Sequence, residues 1–573
     1  MEYFLALLVA LTAFLQGGFF PSVFLIGGIT SSFITLICAK RKLLRPEITL
    51  CVFAGVYLLA SLVNGYSSSS VAQACLPASC IGAWFLFLSL PMKKREKLLE
   101  ILLWCSAAFA GIGLAALCDV VTISGAVTAH RLQFPFQYAN AAGSWYAAMA
   151  LLCLQDENKT SKYVQTPILT AMLLTRSIGA LGMYGICTAI YLWKSKKDKK
   201  WPQIILQNAL AAPFAAALFF LHGGAAIFVI VMAFVAGRYQ KKLVAAGKQI
   251  KLHWFCLFGA VACVIPILLS SRISQATLTF AERICQIVDG ARIIAAYPVL
   301  GIGAGNWQYV YPYYQSAEYV TTVVHSGIVQ IGVDGGILAI ATAIWLLYLL
   351  WKSGKRPLPI TLAAILLVGH SLLDFTLEFY PICLLPLFLL SFGVQTSNEK
   401  QNSVVPRAVC AVVLLLCLTM CWGEQQYKQM VYSSQRGEWE NVLLCYERDE
   451  RFFGSSSEPI ACAAGAAYRI GEHEKAGELS AKLVWLDSDG ILLRSRCLYA
   501  ADGEDAACEY LFSELARRDH QRYLFEAARE MLSAWNLSEK HKNEFNATVN
   551  AAVSKSTAFD NAFFGRTTIE GLT

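Results

Sequence analysis

Long apolar runs alternate with short polar segments over the first three quarters of the chain. An α-helix needs about 20 apolar residues to cross the hydrocarbon core of a bilayer, and most of these runs approach that length. The pattern predicts an all-α, polytopic bundle of roughly 12–15 membrane helices. The candidate helices cover roughly residues 3–16, 20–39, 48–64, 70–91, 98–117, 138–155, 163–177, 178–194, 203–221, 223–237, 252–270, 325–350, 358–375, 379–395 and 405–422.

Basic residues gather in short clusters between the apolar runs. The main clusters are Lys40–Arg45, Lys93–Lys97, Lys194–Lys200, the segment that begins at Gly237, and Lys352–Arg356. An even number of predicted helices separates each cluster from the next, so all fall on one face, which the positive-inside rule makes cytoplasmic. The loops 119–137 and 271–324 then lie outside. We predict a multi-pass domain over 1–422 in the cytoplasmic membrane and an extracytoplasmic domain over 423–573.

The composition supports this class and excludes others. Of the 573 residues 56% are hydrophobic and 15% are charged, whereas soluble domains average about 25% charged residues. The net charge of +8 does not indicate a nucleic-acid partner, because the basic residues lie where membrane topology requires them. The 19 cysteines form no CxxC pair and no Cys/His metal pattern, so no metal is expected.

The last quarter of the chain has a different pattern. It is polar and charged, with helical periodicity, and Gly437, Gly471 and Gly503 recur through it. A glycine-containing turn at a spacing of about 34 residues resembles tetratricopeptide repeats, in which paired helices stack on one another. An irregular helical bundle is the alternative.

Two arginines stand apart from the basic clusters, near the predicted outer boundary. The stretch HRLQFPFQYAN places Arg131 before a helix and Asn140 near the start of that helix, where it could cap the first turn. Arg176 falls at the turn of a tight helical hairpin. Arginine binds phosphate in bidentate fashion, so both are candidates for an anionic ligand. The alternative is that they anchor the helices at the lipid interface.

The longer outer loop carries further candidates. Its segment Leu278–Ala296 has the pattern of an amphipathic helix, and Arg283 and Arg292 on it either bind phosphate or belong to its solvated face. The glycines of YPVLGIGAGNW lack the strand–turn–helix context of a nucleotide-binding loop, so a nucleotide is not expected.

Two histidines lie at apolar boundaries. His325 opens an apolar run that also contains Asp334, and on one helix the two would lie roughly 13 Å apart, too far for a direct pair. Histidine can take a proton near neutral pH, but His325 could equally be a polar cap. His370 and Asp374 have i, i+4 spacing and are predicted to share one helix face, as part of a site or as a structural pair.

These motifs together resemble a known signature. YPVLGIGAGNW and, after a spacer, HSGIVQIGVDGG are similar to the P-x-x-G-x-G, H-[NS] and E-x-G segments of the O-antigen ligase and O-antigen polymerase-like family. The matching residues are Pro298, Gly301, Gly303, His325, Ser326, Asp334 and Gly336, with Asp in place of the family's Glu and Ser in place of its commoner Asn. RLQFPFQYAN resembles the family's R-x-x-G-x-F-x-x-x-N without the glycine. LLTRSIGAL resembles its T-x-S-R-G with Arg and Ser exchanged.

The resemblance implies a membrane glycosyltransferase. Its donor would be an undecaprenyl-diphosphate-linked glycan, transferred to or polymerised on an acceptor hydroxyl of a glycan or lipid at the outer face of the membrane, without a cofactor. It implies that His325 orients the hydroxyl or accepts its proton, and that Arg176 and Arg283 clamp the diphosphate, with support from Arg131. Asp334 would support the loop and the helix. Further substrate-binding residues are expected to be Asn140, Arg292, Gly301, Gly303, Trp307 and Tyr311, the aromatic rings by stacking on sugars.

Two other functions fit the same class of protein. A transporter of the lipid-linked glycan would need charged residues along a path through the membrane, but the unclustered arginines gather on the outer side. A membrane anchor whose repeats recruit protein partners would leave His325 and the outer arginines without a role. Ligase and polymerase use the same donor chemistry and differ only in the acceptor, so the sequence does not separate them.

Overall fold

The structure is a computed structural model that describes residues 1–64, 68–155, 160–195, 201–247, 272–395, 403–453, 457–483, 486–535 and 537–563. The described residues are mainly helical, which confirms the predicted all-α class. A short antiparallel hairpin joins β1 (Val127–Thr128) to β2 (Arg131–Leu132).

Ten helices precede residue 250 in the described part of the chain. They are α1 (Glu2–Phe14), α2 (Pro21–Cys38), α3 (Arg45–Asn64), α4 (Ser68–Ser89), α5 (Met92–Leu117), α6 (Ala139–Leu152), α7 (Ser161–Leu174), α8 (Ile178–Lys194), α9 (Trp201–Phe220) and α10 (Gly224–Gly247). Most of their bounds lie within a few residues of the predicted ones. The predicted helix 252–270 lies outside the described residues.

The second half of the chain is also helical where it is described. Its helices are α11 (Arg272–Ala296), α12 (Trp307–Val310), α13 (Gly327–Lys352), α14 (Leu358–Ser371), α15 (Tyr380–Ser391), α16 (Val404–Gln435), α17 (Trp439–Phe453), α18 (Ser457–Arg469), α19 (His473–Ala481), α20 (Ser488–Asp502), α21 (Glu504–Ala516), α22 (Arg522–Ser533) and α23 (Glu539–Phe563). The amphipathic helix predicted from Leu278 is present as α11.

Six helices in the described ranges are long and apolar enough to cross a membrane, judged by length and composition. These segments are Pro21–Cys38, Arg45–Asn64, Val71–Ser89, Met92–Leu117, Gly327–Lys352 and Val404–Gln435. Six further helices are apolar but shorter. The long apolar helices indicate a membrane protein; the total of 12–15 spans and the location of the tail stay predictions.

The chain divides into two compact units. The first comprises Met1–Leu50, Ser79–Ser274 and Ile344–Leu414, and the second comprises Cys51–Ala78, Gln275–Ala343 and Leu415–Thr573. In the first unit, α7 packs against α5, α6, α9 and α10, while α14 packs against α6, α8 and α15. Large side chains such as Trp84, Trp145 and Tyr146 are fully buried there.

Arginines of three basic clusters meet at one end of the first unit. Arg95 donates to the carbonyl oxygen of Leu88 (2.9 Å) and to that of Ser391, at the C-terminal ends of α4 and α15. Arg356 donates to the carbonyl of Leu390, and Arg41 to that of Phe85. The last four carbonyls of a helix have no partner within it, and the guanidinium groups of Arg95 and Arg356 supply one at these two helix ends. The three clusters therefore share one end of this unit, as the even helix counts predict.

In the second unit, the loop that the sequence predicts to lie outside forms a small apolar core of its own. The core is made of Cys285, Ile293, Ile302, Trp307, Val310, Tyr311, Ala317, Tyr319, Val324 and Val333. It joins α11 and the first part of α13 to the turns between them, so the loop has a packed interior.

The tail of the second unit is a succession of helices, each packed against the next from α17 to α21. Among the glycines of the predicted repeats, Gly471 and Gly503 each lie between two of these helices, and Gly437 lies between α16 and α17. Their φ values are positive, at 86°, 88° and 73°. Glycine adopts that conformation without strain, so it allows the chain to turn sharply between antiparallel helices. The helical content of the tail is confirmed, and its assignment to a repeat family stays a prediction.

Candidate functional site

Arg131, Asn140 and the turn that contains Arg176 converge in the first unit. The Arg131 Nε–H donates to the Thr175 carbonyl (3.0 Å), and its Nη2 donates to the Asn140 Oδ1 (3.0 Å). Ser177 donates to the same Asn140 oxygen at 2.9 Å. Arg131 is thus held by groups of the protein.

Asn140 is the centre of this arrangement. Its Nδ2 donates to the Tyr138 hydroxyl at 2.9 Å and to the Asp374 Oδ2 at 2.7 Å. The amide oxygen therefore accepts two hydrogen bonds and the amide nitrogen donates two, which is its full capacity. The predicted capping role is wrong, because Tyr138 is the N-cap of α6 and Asn140 lies inside the helix. We call Arg131, Tyr138, Asn140, Ser177 and Asp374 the polar turn cluster.

Arg176 lies between α7 and α8, at the hairpin turn that the sequence predicts. Its side chain is buried, its φ is +52°, and its guanidinium lies 5.6 Å from the ring centroid of Phe219. Positive φ is uncommon outside glycine, and its occurrence at a buried arginine marks a backbone held by its surroundings.

Asp374 does not share a helix with His370, which corrects the i, i+4 prediction. Helix α14 ends at Ser371, and Asp374 follows it in a turn. The Asp374 carboxylate accepts the backbone N–H of Phe375 at 2.9 Å, a local hydrogen bond that competes with continuation of a helix. The carboxylate belongs instead to the polar turn cluster.

His325 lies in the second unit, where it is held by Gln286 of α11. Both the backbone N–H (3.0 Å) and the ring Nδ1 (2.9 Å) of His325 bond to the Gln286 Oε1. A backbone N–H can only donate, so the atom that it meets must be the amide oxygen. The same oxygen can only accept from Nδ1, which must therefore carry a proton. The neutral ring then has its lone pair on Nε2, the form that a general base requires.

Asp334 is linked to the residue before His325. The Gln330 Nε2 donates to the Asp334 Oδ1 at 2.8 Å, and the Gln330 Oε1 accepts the backbone N–H of Val324 at 2.7 Å. Asp334 is buried, with 3% of its surface exposed. These bonds agree with the supporting role expected of Asp334.

The glycines of the signature bring its two separate segments together. Helix α13 is broken at Gly336, which has φ +66° and ψ −164°. The backbone N–H groups of Ile302 and Gly303 donate to the carbonyls of Val333 (2.8 Å) and Asp334 (3.0 Å). A Cβ atom at Gly301 or Gly336 would collide with the backbone of the other segment. The predicted continuous helix over 325–350 is therefore wrong at this point, because the loop satisfies the carbonyls that the kink frees.

The two arginines of α11 have different surroundings. Arg292 Nη1 forms an ion pair with Asp289 Oδ1 at 3.1 Å. The Asp289 carboxylate, fully buried, also accepts hydrogen bonds from Ser316 and, at 2.8 Å, from the Tyr319 hydroxyl. Burial raises the pKa of Asp289. Arg283 is half-buried and lies three residues before Gln286, on the same helix face. Arg292 is thus paired with Asp289, whose carboxylate also binds the loop through Ser316 and Tyr319. The role of Arg283 and Arg292 toward a substrate stays a prediction.

Trp307 and Tyr311 are buried in the core of the loop. Their ring centroids are 5.2 Å apart with an interplanar angle of 17°, and Tyr311 stacks in the same way on Tyr319. The side chain of Trp307 is fully buried, and Tyr311 exposes 4% of its surface. The rings stack on one another, so their burial favours a packing role over the predicted stacking on sugars.

Sequence reasoning missed three residues that organise the site. Gln286, Asp289 and Gln330 are all buried polar side chains on helices. A buried polar side chain costs free energy unless it is hydrogen-bonded, so polar positions on the inner face of an amphipathic helix are a usable signal. The sequence did not show which face of α11 is buried. A large apolar side chain is normally taken as a sign of burial, but Phe280, Ile284, Ile287 and Val288 of α11 are exposed.

Comparison with known proteins gives no match: no protein-family model, no curated protein and no solved structure matches this chain. Among the described residues, no group of three or more His, Cys, Asp and Glu side chains could hold a metal ion.

Proposed function

We propose that this protein is a membrane glycosyltransferase that uses an undecaprenyl-diphosphate-linked glycan as donor and a hydroxyl group as acceptor at the outer face of the cytoplasmic membrane. The observation that carries the proposal is the pair of hydrogen bonds from the backbone N–H and the ring Nδ1 of His325 to the Gln286 Oε1, which place the proton on Nδ1 and make Nε2 the basic nitrogen of the neutral ring. The proposal also rests on the resemblance of the chain to the O-antigen ligase and O-antigen polymerase-like family.

The reaction assigns a role to each group. The acceptor oxygen attacks the anomeric carbon while its proton passes to Nε2 of His325. The bond between that carbon and the diphosphate oxygen breaks, and the diphosphate leaves with the electron pair. Arg283 would stabilise the charge that develops on the leaving group, because a guanidinium matches phosphate geometry. The roles of Arg131 and Arg176 toward the diphosphate stay predictions from the resemblance.

The surface of α11 supports a substrate that is part lipid. The buried face of the helix carries the polar residues Gln286 and Asp289 beside apolar core residues. Phe280, Ile284 and Val288 are exposed. An exposed apolar stripe on a membrane protein suits contact with acyl or prenyl chains. A polyprenyl diphosphate has both characters, an apolar tail and an anionic head.

The experiment compares cells that carry the wild type, His325→Ala, Arg283→Ala or the control His473→Ala at matched membrane abundance. His473 is an exposed histidine of the tail. We expect the first two variants to lose long surface glycan and to accumulate intact lipid-linked donor on the outer face, and the control to match the wild type. General-base catalysis contributes about 10²–10⁴-fold, so the loss for His325→Ala should be at least about 100-fold.

Two results would overturn the proposal. Donor that accumulates on the cytoplasmic face would identify a transporter. Unchanged surface glycan in both variants would show that His325 is only a polar cap.

A further inference from the structure

Side chains of the outer loop are bonded to helices of the tail, all within the second unit. The Tyr309 hydroxyl donates to the Glu458 Oε1 of α18 at 2.8 Å. The Tyr313 hydroxyl donates to the Glu514 Oε2 of α21 at 2.9 Å. These contacts come from one short piece of the loop, residues 307–315, which we call the docking segment. It is therefore attached to two separate tail helices.

Tyr313 completes a charged pocket of the tail. The guanidinium carbons of Arg517 and Arg518 lie 4.6 Å and 4.1 Å from the centroid of its ring. Arg518 is fully buried, donates from Nη2 to the Tyr313 oxygen and to the Leu486 carbonyl, and lies 3.4 Å from Glu514. A buried cation needs acceptors and gains from an aromatic face. A residue of the loop supplies both, so the tail pocket depends on the loop for part of its partners.

The docking segment leads directly to His325. Trp307 stacks on Tyr311, and Tyr311 on Tyr319, with centroids 5.2 Å apart in each pair. Tyr319 bonds to α11, the helix that also carries Gln286, and Val324 belongs to the same apolar core and immediately precedes His325. A displacement of the docking segment would therefore also displace Gln286, the residue that holds the ring of His325.

We propose that the helical tail is a positioning element for His325: by holding Tyr309 and Tyr313, it keeps the outer loop in the arrangement in which Gln286 orients the ring. The expected effect on catalysis rests on the proposed function, whereas the contacts between the tail and the loop do not. It differs from the recruiting role expected of helical repeats, in which the tail acts only on other proteins.

The test compares Tyr313→Phe with Tyr523→Phe in the full-length protein in detergent. Both changes remove one hydroxyl that donates at 2.9 Å to a tail carboxylate, but Tyr523 is exposed and bonds to Asp489 within the tail. Hydrogen exchange is followed at the amides of Val324 and His325, which are bonded to Gln330 and Gln286. We expect Tyr313→Phe to speed their exchange by at least about 10-fold, because the hydroxyl that bonds to both Glu514 and Arg518 is lost, and Tyr523→Phe to leave it unchanged.

Surface glycan is measured in cells that carry the same variants, next to His325→Ala. Faster exchange with shortened glycan for Tyr313→Phe supports the inference. Unchanged exchange at Val324 and His325 overturns it, whatever the glycan shows. Faster exchange together with normal glycan in His325→Ala leaves the coupling in place and refutes the proposed function instead. If Tyr313→Phe unfolds the tail, Tyr309→Phe gives the same readout with the loss of one hydroxyl bond to Glu458.

Discussion

Gln286 offers the sharpest test of how His325 is held. We consider Gln286→Leu, which keeps a side chain of similar size but removes the acceptor, and Gln286→Glu, which keeps an acceptor oxygen. Gln286 is 4% exposed, and its Oε1 receives both the backbone N–H and the Nδ1–H of His325. In the leucine variant both donors face an apolar group.

The size of the effect follows from these two bonds. A net hydrogen bond stabilises by about 1 kcal/mol, so the oriented ring loses about 2 kcal/mol of support, equivalent to roughly a 30-fold change in its population. The loss of the tautomer preference alone would lower the population of the reactive tautomer only about twofold, since the neutral ring has two tautomers. We therefore expect the turnover rate of Gln286→Leu to fall about 30-fold, less than the loss of at least about 100-fold expected for His325→Ala.

The assay measures turnover of the lipid-linked pool extracted from cells that carry His325→Ala, with the thermal unfolding of each variant as control. Gln286→Glu should retain most of the wild-type rate, and the apparent Michaelis constant of both variants should stay close to that of the wild type. Equal rates for Gln286→Leu and Gln286→Glu would refute the reasoning, because the acceptor oxygen would then be irrelevant.

Three predictions concern stability. Gly336→Ala should destabilise the protein by about 3 kcal/mol or more in thermal unfolding, since φ +66° with ψ −164° is nearly restricted to glycine; Gly182→Ala, with no neighbouring atom within 4 Å, should be tolerated. Asp289→Asn should cost about 2–4 kcal/mol in the same assay, because it replaces a buried acceptor oxygen with a donor, and an unchanged unfolding temperature would contradict this role. The hydrogen bond with His541 lowers the pKa of Glu504 from 4.5 to about 2, so its stabilising contribution is complete above about pH 4.5 and lost as the pH falls through about 2. The difference in unfolding temperature between wild type and Glu504→Gln should shrink over that range, and a constant difference would argue against a stabilising role of this hydrogen bond.

Helix positions were predictable because each apolar run contains its own signal. The predicted helices 178–194 and 203–221 correspond to Ile178–Lys194 and Trp201–Phe220. Length and apolarity decide such elements locally. The convergence of Arg131 with the turn at Thr175 could be expected from sidedness alone, since both lie at predicted outer boundaries.

The rest of the site depends on contacts between distant segments. The break at Gly336 exists because the loop after Pro298 donates to carbonyls of α13. The early end of α14 depends on the turn at Asp374, whose carboxylate is shared with Asn140. Neither contact can be predicted from the local pattern of apolar and polar residues. Gln286 was missed for a related reason: a helix with two non-equivalent faces predicts that one is buried, but only the packing of the loop shows which.

The two ends of α14 show where the basic clusters and the polar turn cluster lie along this helix of the first unit. Its first residue is Leu358, two positions after Arg356, and its last is Ser371, three positions before Asp374. A helix of 14 residues is about 21 Å long, so the polar turn cluster and the basic clusters lie at opposite ends of this helix. Helix α8 has the same arrangement, with Arg176 before its first turn and Lys194 in its last. Short cytoplasmic loops carry an excess of lysine and arginine, so the topology predicted from the sequence would place the polar turn cluster on the outer side. Arg131 and Arg176 therefore lie away from the basic clusters within this unit, and their role toward an anionic ligand stays a prediction.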